Sequence, residues 1–127
     1  YLNFSYNNST NEATLYSVNS TVVGAYVPEL TAYNGTNYTV TTIGEKYSSV
    51  VSKTLQEITI PKTVTSIREK AFYDNSSLKQ VTFASGINLT EIPELVFGYC
   101  TSLTGIILPS SVRIKANMWC RTSSHTT

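Results

Sequence analysis

The chain has 127 residues, of which 41% are hydrophobic and only 13% charged, and its net charge is +1. That length suits one domain. The near-neutral charge argues against nucleic-acid binding, which needs a clustered basic face, and no apolar run approaches the roughly 18 residues of a membrane-spanning helix. No signal peptide is visible and residue 1 is Tyr, so the chain reads as a mature product or an excised fragment.

Residues 1–44 contain Glu12 and Glu29 but no Lys or Arg, and they hold six of the nine tyrosines: Tyr1, Tyr6, Tyr16, Tyr26, Tyr33 and Tyr38. Apolar and β-branched residues over 2–6, 14–18, 22–27 and 38–43 predict short strands, with turn chemistry at Asn7-Asn8 and Asn34-Gly35. This segment reads as a β-rich N-terminal cap over 1–44. Its tyrosines are either solvent-facing cap residues or rigid amphipathic rings for sugar or protein contact.

Eight Asn-x-Ser/Thr triplets occur: at Asn3, Asn7, Asn8, Asn19, Asn34, Asn37, Asn75 and Asn88. Two readings stand. Either the protein is extracellular and glycosylated, or a composition rich in Asn, Ser and Thr makes such triplets freely. Asn75 sits at an inward repeat position and is expected to be bare. The other seven are candidate acceptors.

From residue 45 onward one spacing dominates. Ile67, Phe72, Asn75, Leu78, Val81 and Phe83 recur at a single constant offset as Ile92, Phe97, Cys100, Leu103, Ile106 and Leu108. A sustained period of roughly 23–25 residues is the signature of a stacked solenoid. With small slips the pattern extends upstream. Leu55, Ile58 and Ile60 stand one slightly shorter step before Leu78, Val81 and Phe83, and Val40 and Ile43 one such step before Val64 and Ile67. Downstream, Val112, Ile114 and Trp119 begin a unit that stops short. The array over 45–121 is thus read as two full repeats, one degenerate and one truncated, followed by a polar tail over 122–127.

Each unit has a Leu-x-x-Ile-x-Ile line, whose last three residues alternate as a strand does. Pro61 and Pro109 stop two of these strands, because proline cannot donate to a ladder. Residues 66–72 place Ile67, Ala71 and Phe72 at an i, i+4, i+5 spacing beside Arg68, Glu69 and Lys70, which suits a short helical turn. A lone unit buries too little apolar surface to offset the entropy of ordering about 24 residues, so stacking must supply the rest.

Catalytic chemistry finds little support. The sole histidine, His125, lies in the polar tail, where no general base could be held in geometry. Glu91 and Glu94 flank Pro93 with no evident partner, and no glycine-rich phosphate loop appears. Two cysteines and one histidine make no convincing zinc site. Cys100 either fills a structural ladder position shared with Asn75 or bridges Cys120 in the next unit. No cofactor, metal or catalytic residue is expected, and the chain is read as not an enzyme.

The units follow Val-Thr-x-Ile, Ala-Phe, Asn/Cys, Ser-Leu and Ile/Leu-Pro. These are carried here by Val64-Thr65-Ser66-Ile67, Ala71-Phe72, Asn75, Ser77-Leu78, Phe97, Cys100, Ser102-Leu103, Ile60-Pro61 and Leu108-Pro109. In this the chain resembles the BspA-type leucine-rich repeat family of surface proteins, over roughly residues 38–119. It departs from the pattern at Ala84, Val96, Tyr47-Ser48 and Met118-Trp119. The resemblance implies a leucine-rich-repeat-type solenoid, mainly β with short helical turns, and cell-surface adhesion to a protein or glycan on host matrix or cells. The expected contact surface is the outward strand positions Gln56, Thr59, Gln80, Thr82, Thr104 and Ile107. The alternative is a structural spacer, or a fragment of a longer solenoid that self-associates through its C-terminal edge.

Overall fold

The structure is a computed structural model and describes residues 2–44 and 54–114. Tyr1, the Tyr47-Ser48 pair, Met118-Trp119, Cys120 and the tail with His125 lie outside the described residues.

Five strands form over residues 1–44: β1 (Leu2–Asn7), β2 (Glu12–Val18), β3 (Gly24–Tyr26), β4 (Leu30–Tyr33) and β5 (Thr36–Ile43). β4 is one that the sequence reading missed. It is the first arm of a hairpin whose turn is Asn34-Gly35, both at positive φ (50° and 77°), with Tyr33 opposite Thr36. Two successive left-handed residues make the tight hairpin turn that matches strand twist. β1 and β2 pair antiparallel, and β2 runs parallel to β5.

The repeats supply β6 (Glu57–Ile60), β7 (Ser66–Ile67), β8 (Gln80–Phe83), β9 (Glu91–Ile92), β10 (Gly105–Ile106) and β11 (Arg113–Ile114). The Leu-x-x-Ile-x-Ile lines stack as one parallel sheet in the order β10-β8-β6, and β3 adds to its edge beside β6. Ile58 lies opposite Val81 and Ile60 opposite Phe83, and Val81 opposite Ile106, so the repeat step along the chain is the register of the sheet. The second extended segments stack on the other side. Ile43 pairs with Ile67, and Ile92 with Ile114. β7 and β9 do not hydrogen-bond to each other. The connection before β9 is longer than the one before β7 (Phe83 to Ile92 against Ile60 to Ile67). Both solenoid walls therefore continue into residues 1–44, through β3 on one side and β5 on the other.

The helical turn expected over 66–72 is instead a corner of consecutive i→i+3 turns, and no helix forms among the described residues. Ala71, Tyr73 and Asn75 donate their N–H groups to the carbonyls of Arg68, Lys70 and Phe72. Lys70 and Asp74 take positive φ (63° and 65°), and one repeat later Leu95 and Tyr99 do the same (60° and 57°). A left-handed residue costs about 1–2 kcal/mol without glycine and stops a helix. Hydrogen bonds between neighbouring coils offset that cost: Phe72 N to Val96 O (3.0 Å) and Asp74 N to Gly98 O (2.8 Å).

Between the two walls runs one core. Leu55, Ile58, Ile60, Ile67, Phe72, Leu78, Val81, Ile92, Phe97 and Leu103 are buried in it. Phe72 and Phe97 stack in register, ring centroids 5.7 Å apart and planes 3° from parallel. Phe83, Ile106 and Leu108 are only half-buried. Phe83 and Leu108 line a cleft of about 330 Å³ with Ile87 and Ser111.

Candidate recognition face

The outer surface of the parallel sheet is set by strand alternation. On β6, Ile58 and Ile60 point into the core, which leaves Glu57 and Thr59 outward, and on β8 Gln80 and Thr82 face out beside inward Val81. The register aligns these into rows. One row runs Gly24, Glu57, Gln80, Gly105. A second runs Tyr26, Thr59, Thr82, and Ile107 continues it one residue past the Val81–Ile106 pair. Tyr26 and Ile107 end this row at 83% and 87% exposure, so two large apolar groups flank a pair of threonines.

Two shallow concavities of about 360 Å³ each lie on this surface. One is lined by Gln80, Thr82 and Ile107, the other by Gly24, Tyr26, Glu57, Thr59 and Thr82. Gln80 Nε2 donates to Thr82 Oγ1 at 3.5 Å.

Four of the six expected contact residues, Thr59, Gln80, Thr82 and Ile107, lie together here. Gln56 and Thr104 sit one residue ahead of the strands, in a line with Lys79. The Gln56 carbonyl accepts from Lys79 N, and Thr104 N donates to the Lys79 carbonyl. Gln56 is half-buried, whereas Thr104 is exposed. Sequence reasoning missed Gly24, Tyr26 and Glu57. Ala25 lies opposite Ile58 across a chain separation well beyond one repeat, so no period points to β3.

Behind the face, Asn75 and Cys100 are buried at matching positions of successive corners. Asn75 is fully buried. Cys100 is a free thiol whose Sγ donates to the Phe72 carbonyl of the preceding coil at 3.0 Å. Burial is the main cause that pushes this thiol up to about 12. Nearby Asp74 adds to the rise, and a backbone hydrogen bond from Asn75 opposes it. Such a thiol is protonated and unreactive at neutral pH.

The cap tyrosines divide. Tyr6 stacks on Tyr33 (4.8 Å, 14°) and tilts against Tyr38 (4.8 Å, 51°), and the buried Tyr38 donates its hydroxyl to Asn8 Oδ1 at 2.6 Å. Tyr16 and Tyr26 are exposed. Among the Asn-x-Ser/Thr asparagines, Asn7, Asn8, Asn19, Asn34, Asn37 and Asn88 are exposed. Asn3 is half-buried and donates to Ser17 Oγ and Asn19 Oδ1. Asn88 projects between buried Ile87 and Leu89.

No cluster of three or more His, Cys, Asp or Glu side chains able to hold a metal occurs among the described residues. Nor do they form a helix long and apolar enough to cross a membrane.

The family described as the BspA-type leucine-rich repeat region matches residues 25–127 in six copies. No curated protein matches the chain. Among solved structures, a leucine-rich repeat protein from Bacteroides capillosus superposes with a TM-score of 0.73 at 27% identity, covering 99% of this chain and 91% of that one. A leucine-rich cell surface protein from Faecalibacterium prausnitzii gives 0.62 at 26% identity, and a leucine-rich repeat protein from Bacteroides ovatus 0.70 at 22%. Each of these two covers 89% of this chain, which spans only 30% of their length.

Proposed function

Since the chain belongs to the BspA-type leucine-rich repeat family, we propose that it is an extracellular, cell-surface recognition module that binds a protein or glycan through the outer face of β3, β6, β8 and β10. Solenoids commonly act through extended surfaces rather than catalytic pockets. The surface description of the F. prausnitzii protein supports the location.

One observation carries the reading: the Tyr26–Thr59–Thr82–Ile107 row. An isoleucine at 87% exposure and a tyrosine at 83% contribute nothing to this fold's own core. Covering either side chain with a partner would contribute about 1.5–3 kcal/mol, and exposed aromatics are frequent interface anchors. The threonines and Gln80 between them offer hydroxyl and amide groups suited to sugar or backbone contacts.

The test is binding of the purified module to immobilised matrix proteins and a glycan array, beside a Gln80→Ala/Thr82→Ala/Ile107→Ala variant. The reading requires at least a tenfold loss in a variant whose melting temperature is unchanged. Equal binding by both forms would remove the face from the mechanism.

A further inference from the structure

β3 is the edge strand of the parallel sheet, and its outer side has no strand partner among the described residues. Its hydrogen bonds show which groups face that side. The Val23 carbonyl accepts from Gln56 and Glu57, Val27 N donates to the Thr59 carbonyl, and Ala25 lies opposite Ile58. In a parallel ladder alternate residues bond to alternate sides. Val23, Ala25 and Val27 therefore bond toward β6, and the N–H and C=O groups of Gly24 and Tyr26 point to the open edge.

Three further features meet there. An apolar concavity of about 390 Å³ runs along the edge, lined by Leu2, Val22, Val23, Gly24, Ala25 and Tyr26. Gly24 has no atom within 4 Å of where a Cβ would stand, so its outer face is open. Glu57 lies directly across from Gly24 and is exposed, so it presents a carboxylate beside the edge.

We propose that the β3 edge is a second binding site, which takes an extended, apolar segment of a partner protein carrying a basic residue, added as a further strand. Main-chain bonds to Gly24 and Tyr26 would hold the segment, and alternate side chains would enter the Leu2–Val23–Ala25 concavity, which is how strand addition divides affinity from specificity. A strand beyond β3 lies two spacings, about 10 Å, from β6. A lysine placed opposite Gly24 crosses that gap over the missing side chain and meets the Glu57 carboxylate. The Glu57 carboxylate also disfavours a second copy of this chain as the occupant, because edge-to-edge pairing would bring two of these carboxylates together.

The probe is the fluorescein-labelled peptide TVKVTV, with fluorescence anisotropy as the readout. Tyr26→Pro removes one outward N–H without touching the β3–β6 ladder, which is where an edge strand tolerates proline. Glu57→Gln removes the charge alone. The expected result is saturable binding by the native chain, reduced at least tenfold by Tyr26→Pro and about threefold by Glu57→Gln. The Gln80/Thr82/Ile107 face variant retains full affinity, which separates strand addition at the edge from binding at the far end of the recognition face. Circular dichroism and melting curves confirm that each variant is folded. No binding at millimolar peptide, or equal binding by a folded Tyr26→Pro chain, overturns the proposal. So does a concentration-dependent dimer that Tyr26→Pro abolishes, since the edge then serves a second copy.

Discussion

Phe72 and Phe97 carry the tightest test at the level of single residues. Both are fully buried and each covers the other's ring. Phe72→Ala or Phe97→Ala should cost about 3–5 kcal/mol in chemical denaturation, the range for truncating a buried aromatic. Thr82→Ala, on the outer surface, should leave the unfolding midpoint nearly unchanged. Cys100 sets a pH dependence whose sign is fixed. Its folded value, about 12, lies above the ordinary 9.0, so the unfolded chain loses the proton first. The contribution is complete below about pH 9 and declines as pH rises toward 12. A Cys100→Ala chain should lose less stability over that interval than the native one. In a Cys120→Ser background, a thiol reagent should label Cys100 only after denaturation. Asn75 is buried as well, so glycopeptide mass spectrometry of protein secreted from a eukaryotic host should find its triplet unmodified.

At the scale of elements, the turns decide as much as the strands. Gly44 follows β5 at φ 94°, and a Cβ there would stand 3.0 Å from the Ala71 Cβ and 3.3 Å from the Arg68 Cβ. Gly35, in the β4–β5 turn, also has positive φ but meets nothing within 4 Å. Gly35→Ala should therefore cost about 1–2 kcal/mol from backbone strain alone. Gly44→Ala should cost distinctly more, because the corner of the first coil must also move. Comparing the two midpoints separates conformational strain from crowding. The strands were readable because each alternates around a repeated apolar line, as Ile58–Ile60 and Val81–Phe83 do. The corners were not. Glu69 and Lys70 have good helix propensity, and the coil-to-coil bonds from Phe72 and Asp74, which no local spacing encodes, favour the corner in which Lys70 and Asp74 are left-handed.

Over the whole molecule, the array buries its core between two walls of stacked strands and exposes one broad sheet face with a low charge density. The periodic residues were sufficient to place Thr59 beside Thr82 and to carry the row on to Ile107, since equal spacing along the chain becomes direct stacking in a solenoid. They could not place Tyr26. β3 joins the sheet through backbone pairing with β6, and backbone groups are the same in every residue.

What the sequence alone determined is the period, and with it the solenoid, the inward apolar lines and the family. All of these follow from side chains that must repeat in order to stack. The tertiary structure alone decided how residues 1–44 close on the array. β3 and β5 extend its two walls, Tyr6, Tyr33 and Tyr38 cluster, and Gly24 and Tyr26 turn their main-chain groups to the edge of the sheet. Those outcomes rest on hydrogen bonds and packing between segments far apart in the chain, for which no local spacing exists.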